Sequence, residues 1–402
     1  MKVLIVNCVF NKGSTGKITY DLHTALKEQG IESILCFGRG AKIDEPNVYK
    51  TCGELYSKFN NFLSRLTGIM YGGCYFSTNK LIRIIKKEKP DIVNLHCING
   101  YFVNIYRIIT WLKYKKIKTV VSLHAEFMHT ANCGHAFECE GYKKGCGNCP
   151  RFKSETKSYF IDNTAKSFKK MQKAFDGFND NLIITSVSPW LMERAKGSLI
   201  LGDKEHRVVM NGLEIDTFHP YNTSELKKQH GITDEKIIFH ATPMFNDDKN
   251  YIKGGYYIIE LANRLKDENV KIIVAGDYKS DMDIPGNIIL LGAVKDQNLL
   301  AKYYSMADLT VIASKRETFS MICAESLCCG TAVVGFKAGG PESISIPEYS
   351  RFVEYGEMDR LEKEVRDFIC REFKDISEKS ALKYNKIEMF KNYFSVYKEL
   401  IG

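Results

Sequence analysis

Short apolar runs of strand length, each followed by an amphipathic run of helix length, recur in two separate series along this chain. That alternation leaves few folds open, because a strand–helix–strand unit closes only as a parallel sheet covered by its crossover helices. Lys2–Val6 reads as a buried strand. A glycine-bearing loop, Asn11-Lys12-Gly13-Ser14-Thr15-Gly16, follows it, and then an amphipathic run from Lys17 to Gln29 closed by Gly30. Further strands are predicted at Ser33–Phe37, Asp91–His96, Lys118–Leu123, Leu182–Val187 and Arg207–Met210. The turn-rich segment Asn211–Pro220 breaks the pattern. A second series opens at Lys236–Ala241 and continues at 270–275, 288–291, 308–313 and 332–336. With 402 residues the chain exceeds one ordinary core. The expected organisation is an α/β protein with doubly wound parallel-sheet domains at 1–205 and 206–380 and a last segment at 381–402. A single helix is predicted over about 378–400, with Leu382, Ile387, Phe390, Phe394 and Tyr397 as its apolar positions.

The composition is that of a soluble globular protein, 44% apolar and 26% charged. No run of about 18 uncharged apolar residues is present, so no transmembrane helix is expected. The opening strand has too short an apolar run for a signal peptide, which points to the cytoplasm. Thirteen cysteines are then expected as free thiols or metal ligands rather than disulfides. The net charge of +9 favours anionic partners such as nucleotides, diphosphates or an acidic membrane surface. No interleaved basic–aromatic stripe points to nucleic acid.

Candidate site residues fall in the loops that follow strands, where open α/β sheets bind ligands. Glu317 and Glu325 bracket Glu-Thr-Phe-Ser-Met-Ile-Cys-Ala-Glu. The turn residues Thr318 and Ser320 lead into a helix whose first N–H groups suit an anion. Glu317 can reach into a cleft, and Glu325 can accept hydrogen bonds from ligand hydroxyls. Two solvated surface acids are the plain alternative. His96 and His124 close the two strands 91–96 and 118–123, facing one crevice. Gly13, Ser14, Thr15 and Gly16 let the backbone approach a ligand closely, although they do not have the spacing of a P-loop.

Two segments stay open between readings. Leu55, Phe59, Phe62, Leu63 and Leu66 share one helical face, which predicts a core helix. The alternative is an apolar face that meets a membrane or a lipid-linked acceptor, with Lys58 and Arg65 beside it. Within residues 125–153, Cys133, Cys139, Cys146 and Cys149 cluster with His129 and His135. They are read either as free thiols packing a loop, as a redox-sensitive pair, or as ligands of a structural zinc.

Together these motifs resemble the retaining glycosyltransferases of family four, over nearly the whole chain. The likeness rests on Glu317-x7-Glu325 with Phe319 and Gly330, on Asn211-Gly212-Leu213-Glu214-Ile215-Asp216 with Phe218 and Pro220, on Lys253-Gly254, and on Gly339-Gly340-Pro341-Glu342. The front half is similar to a bacterial subset active in capsule, exopolysaccharide or O-antigen assembly. It shares the Gly-Ser-Thr-Gly opening, the strand ending at His96, and the Cys133…Cys146-Gly147-x-Cys149-Pro150 segment. The resemblance implies the GT-B fold, two Rossmann-like domains facing across a cleft, with residues 381–402 crossing back to the first. It implies a nucleoside-diphosphate sugar as donor and a glycan, lipid-linked, as acceptor, with peripheral contact at the inner membrane face. No divalent ion or other cofactor is implied for transfer.

By analogy Lys253 counters the leaving diphosphate, Glu325 binds the donor ribose, and Glu317 contacts the sugar. Thr318, Phe319, Ser320, Gly13, Ser14 and Gly16 join the donor site. His96, His124 and Thr15 serve the acceptor, with His124 near the reacting centre. Two positions depart from the family. No Arg stands in the stretch 243–252 just before Lys253-Gly254, and Lys249 is the substitute at hand, as a point charge rather than a fork. Ala125 stands where the subset carries Asp. These departures keep open a catalytically inactive nucleotide-sugar-binding scaffold as the alternative.

Overall fold

β1 (Lys2–Val9) lies in the middle of its sheet because Val3, Leu4, Ile5 and Val6 are buried on both faces. The computed structural model describes residues 1–402 and divides them into two units, residues 1–210 with 389–402, and residues 211–388. The first unit continues with β2 (Glu32–Arg39), β3 (Val48–Lys50), β4 (Ile92–Leu95), β5 (Thr119–Leu123), β6 (Leu182–Ser186) and β7 (Glu205–Val208). Their order is β3-β2-β1-β4-β5-β6-β7, and every pair is parallel. The order reverses between β1 and β4, so a crevice opens at the carboxyl ends of these two strands. α1 (Gly13–Glu28) starts at Gly13, four residues earlier than the sequence pattern predicts. Gly13, at φ +64, turns the chain, and Gly16 allows the first turn to sit against β1. A Cβ at Gly16 would stand 3.1 Å from Val9 Cγ2.

The second unit holds β8 (Lys236–Phe245), β9 (Val270–Tyr278), β10 (Ile288–Gly292), β11 (Leu309–Ile312), β12 (Ala332–Phe336) and β13 (Ser350–Val353). Their order is β10-β9-β8-β11-β12-β13, again wholly parallel. The switch here falls between β8 and β11. β13 is a short edge strand that the sequence pattern did not mark.

The helix expected over 378–400 is two helices, Ile376–Tyr384 and Lys386–Ile401, and the units divide at 388/389. The break at Asn385 is held by Leu213, whose N–H donates to Tyr384 O (2.7 Å) and whose carbonyl accepts from Lys386 N (2.9 Å). Leu382 and Ile387, read as core positions, are exposed. Phe390 and Tyr397 are buried as expected, and Met389, Tyr393, Val396 and Leu400 complete the buried face. A polar ladder anchors that face to its sheet. Thr185 Oγ1 donates to Ser122 Oγ (2.8 Å), Ser122 Oγ to Asn94 Oδ1 (2.9 Å), and Asn94 Nδ2 to the Tyr397 hydroxyl (2.7 Å).

The core-helix reading of Leu55–Leu66 is overturned. In α2 (Glu54–Thr67) the buried residues are Ser57, Asn60 and Ser64. Leu55 is 82% exposed and Phe59 55%, with Phe62 and Leu63 also outward. Polar side chains point inward because each finds a partner there. Ser57 Oγ donates to Gly100 O (3.1 Å), Ser64 Oγ to Ile69 O (3.0 Å), and Asn60 Oδ1 accepts from Cys74 N (2.6 Å). No helix is long and apolar enough to cross a membrane.

Candidate active site

In the second unit, a pocket of about 350 Å³ opens beside the carboxyl ends of β8 and β9. Thr242, Gly276, Tyr304, Met321 and Glu325 line it. Gly276 has φ +146, and a Cβ there would lie 1.9 Å from Thr242 O, so only glycine lets β9 bend past β8. Glu325 sits on the helix Met321–Cys328 and accepts a hydrogen bond from the Tyr304 hydroxyl at 2.9 Å. Burial pushes its carboxyl up to about 7, against the smaller pull of the Tyr304 hydrogen bond. A half-protonated acid beside an open pocket can accept hydrogen bonds from ligand hydroxyls once ionised.

The loop before this helix carries the second carboxylate. Glu317 Oε1 lies 2.6 Å from Lys253 Nζ. Lys253 directly precedes Gly254, which caps the helix Gly255–Arg264 in the left-handed region at φ +73. A Cβ at Gly254 would meet Ala313 O at 2.0 Å, which is why the helix can start this close to the end of β11. A lysine and a helix N-terminus at one point make an anion site of fixed charges. Glu317 is held by backbone on both sides: its N–H donates to Ala338 O (3.0 Å), and its carbonyl accepts from Gly340 N (2.8 Å). Glu342 clamps the facing loop by accepting from Ala338 N (3.0 Å) and Gly339 N (2.7 Å). Ser320, at φ +83, caps the Glu325 helix by accepting from Cys323 N at 3.3 Å, and Phe319 is buried. Thr318 stands between Glu317 and Phe319, and its backbone approaches Gly340 too closely for a side chain there.

Lys249 is placed elsewhere. Its ammonium lies 5.3 Å over the Tyr256 ring, and it lines a depression with Glu260 and Arg264 rather than the Glu325 pocket.

In the first unit, Gly13, Ser14, Thr15 and Gly16 form the first turn of α1 beyond β1, while His96 and His124 directly follow β4 and β5. The two imidazoles meet, His96 Nδ1 to His124 Nε2 at 3.0 Å. Burial holds both below the ordinary histidine value, His124 at about 4, with the neighbouring His124 adding to the effect on His96. The pair is therefore neutral near pH 7, with one ring N–H donating to the other ring's nitrogen.

One buried group escaped the sequence reading. Glu126 is fully buried; its carboxylate accepts from Ala136 N (2.7 Å) and pairs with Arg194 Nε (2.5 Å), and His129 Nε2 stands at 3.5 Å. Burial alone would raise this carboxyl, but His129 and Arg194 outweigh it and bring it down to about 2. Burial keeps His129 itself low, so Arg194 is the charge that persists at neutral pH. Glu126 directly follows Ala125, and its carboxylate is turned into the loop. Its folded value lies below the unfolded 4.5, so its contribution is complete above that pH and is lost as the pH falls towards 2. Glu126→Gln is expected to destabilise the protein by about 3 kcal/mol at neutral pH and by much less near pH 2, as measured by urea melts.

All thirteen cysteines are free thiols. Cys133 is buried, Cys139 exposed, and Cys146 and Cys149 half-buried. Burial, followed by smaller effects of Cys139 and Cys149, pushes the Cys146 thiol up to about 12. No three Cys, His, Asp or Glu side chains are grouped so as to hold a metal ion, so this geometry does not fit the zinc reading.

Two parallel-sheet α/β units, of seven and six strands, have the GT-B architecture, and the second carries Glu325 in a pocket and the Lys253–Glu317 pair at a helix start. Residues 222–388 match the family described as Glycosyl transferases group 1. The chain is 21% identical over 429 residues to the Escherichia coli (strain K12) protein named as a colanic acid biosynthesis glycosyl transferase, WcaC, covering all of both. It is 21% identical to the N-acetyl-alpha-D-glucosaminyl L-malate synthase of Bacillus anthracis, across 89% of this chain and 85% of that one. Among solved structures, the sucrose-phosphate synthase of Thermosynechococcus elongatus aligns with a TM-score of 0.67 at 13% identity, over 100% of this chain and 99% of the other. Anabaena Alr3699/HepE in complex with UDP-glucose aligns with a TM-score of 0.63 at 13% identity, over 99% and 100%.

Proposed function

We propose that this protein is a retaining glycosyltransferase that moves a sugar from a nucleoside-diphosphate sugar to a lipid-linked glycan acceptor in bacterial surface polysaccharide biosynthesis. The observation that carries the reading is the Lys253–Glu317 pair at the start of the helix Gly255–Arg264. Breaking the bond between the sugar and the diphosphate leaves negative charge on phosphate oxygens. A fixed ammonium and unpaired helix N–H groups stabilise that charge without waiting for solvent to reorganise. Such a site needs no divalent metal. The carboxylate of Glu317 holds the ammonium and offers its second oxygen to a sugar hydroxyl. Glu325, in the adjoining pocket, takes the ribose hydroxyls. The first unit takes the acceptor, with the neutral His96–His124 pair and Thr15 as its polar contacts. The polysaccharide setting is supported by the likeness to WcaC, and the donor class by the UDP-glucose complex of a fold neighbour.

The test is an incubation with UDP-, GDP- and ADP-sugars in the presence of a chelator, followed by proton NMR of the released or transferred sugar. The expected product keeps the donor's anomeric configuration, and the chelator leaves the rate unchanged. An inverted product refutes retention. Absence of both transfer and hydrolysis with every donor favours the scaffold reading, which the position of Lys249 over Tyr256 supports.

A further inference from the structure

We propose that His240 is a positioning residue for Lys253: its Nε2 lone pair accepts a hydrogen bond from the lysine ammonium and holds it at the start of the helix Gly255–Arg264. The role in transfer rests on the donor-site reading above, while the contact itself does not. β8 and β11 part at the switch point, where their register ends with the pairs Leu309–Ile238 and Thr310–Phe239. His240, next on β8, bridges the widening gap with its side chain, and its Nδ1 meets Val311 O at 2.9 Å. A carbonyl only accepts, so Nδ1 carries the proton and donates. The residue is 2% exposed. Burial holds the ring down to about 4, with the Val311 carbonyl opposing and the Lys253 charge adding to the effect. Near pH 7 the imidazole is therefore neutral, and Nε2 is a bare lone pair. That atom is buried and has no hydrogen-bond partner. Buried polar atoms are almost always paired, so an acceptor left open at the root of a ligand crevice calls for a donor.

The surroundings name that donor. The turn at 252–255 rests on the end of β11: Lys315 N donates to Ile252 O (2.8 Å), and a Cβ at Gly254 would lie 2.0 Å from Ala313 O. The Phe245 ring packs against the same turn. Its centroid is 6.1 Å from that of His240, and its Cδ2 is 3.2 Å from where a Cβ at Gly255 would stand. His240 therefore adjoins the residues that carry Lys253, and Lys253 is the side chain whose charge acts on the ring. An ammonium has three N–H groups and no lone pair. One of them is directed at Glu317 Oε1, at 2.6 Å. In the proposed donor complex the leaving phosphate takes the second and His240 Nε2 the third. A neutral imidazole suits this place. It fixes the ammonium without adding a second negative charge that the departing diphosphate would meet. A role confined to the fold needs Nδ1 alone, which ties β8 to β11, and leaves Nε2 without a purpose.

The test separates the two ring nitrogens. His240→Asn keeps an amide N–H at the place of Nδ1 and loses the acceptor at Nε2. His240→Gln puts an amide oxygen at the place of Nε2 and loses the bond to Val311. The ammonium acts on charge that develops only as the sugar bond breaks, so the loss should fall on kcat rather than KM. His240→Asn is expected to lower kcat for transfer at least ~tenfold, and His240→Gln to stay within about threefold of wild type. The reverse order, or equal rates in the two variants, overturns the proposal. Melting temperatures of the same samples show whether a fall in kcat is a loss of fold. The second readout needs no activity and is NMR of the ring nitrogens in isotope-labelled protein, with the His240 signals identified by their absence from His240→Gln. Wild type at neutral pH is expected to show the Nδ1–H tautomer, with an unprotonated Nε2 resonance that moves in Lys253→Ala as the hydrogen bond is lost. A protonated Nε2, or the same resonance in both proteins, overturns the proposal. Wild-type protein that transfers no sugar from any donor refutes the transfer reading alone, because the NMR comparison still decides the contact.

Discussion

Lys253→Ala is expected to lower kcat/KM for sugar transfer about 10³-fold, near 4 kcal/mol of lost transition-state stabilisation. The ammonium sits 2.6 Å from Glu317 at the start of a helix, where the proposed reaction would develop charge as the diphosphate departs. Glu317→Ala is expected to cost about as much, because the carboxylate positions the ammonium and, in the proposed site, also contacts the sugar. The double variant should be little worse than either single one, since the two side chains act as a unit. Both are partly open to water, so neither change strands a buried charge and melting should move by only a few degrees. Steady-state kinetics and melting on the same samples check this. A variant of either residue that keeps near wild-type kcat/KM removes the pair from the site.

The second large effect is a pH dependence set by Glu325. Burial holds its carboxyl at about 7 in the empty pocket, well above the ordinary 4.5. In the proposed donor site ribose hydroxyls donate to the ionised form, so a nucleotide must bind the fraction that has lost its proton. Affinity is then expected to rise with pH and to level off above 7, with a loss of about 30-fold between pH 8 and about pH 5.5. The phosphates titrate in the same range, so the comparison is with Glu325→Gln, whose affinity should be lower and should keep only the phosphate component. Isothermal titration in buffers of different ionisation heat should show proton release by wild type near pH 6.5 and less by the variant. For stability the sign is opposite to that of Glu126. The folded state binds the Glu325 proton more tightly than the unfolded chain, so the empty protein loses up to about 3 kcal/mol as the pH rises from 4.5 to 7. Glu325→Gln should remove that loss and melt higher than wild type at pH 8. Parallel pH profiles for the two proteins would contradict the assignment.

Much of this site can be read in the chain before any coordinates. Lys253 and Glu317 are 64 residues apart, yet each follows a strand of one parallel sheet, and the switch between β8 and β11 puts those two loops side by side. The glycines at 254 and 340 mark places where backbone passes backbone too closely for a side chain. His96 and His124 follow from the same rule, since they end neighbouring strands. What stays hidden depends on partners far away in sequence. Periodicity shows that Leu55, Phe59 and Phe62 share a face, but not which way that face points. The direction is set by Gly100 and Cys74, which take up Ser57 and Asn60. Glu126 looks like any loop acid until Arg194, 68 residues on, reaches it. The break at Asn385 is imposed by Leu213, and no local signal in the apolar pattern announces it.

The most direct measurement is a melting-temperature screen of the protein against UDP, GDP, ADP, CMP and their common sugars. A ligand that binds only the folded state raises the melting temperature by mass action. One nucleoside diphosphate and its sugars are expected to raise it in wild type by several degrees, and to do so far less in Lys253→Ala and in Glu325→Gln near pH 8. No shift with any nucleotide, or equal shifts in wild type and both variants, would contradict a donor site built from these residues.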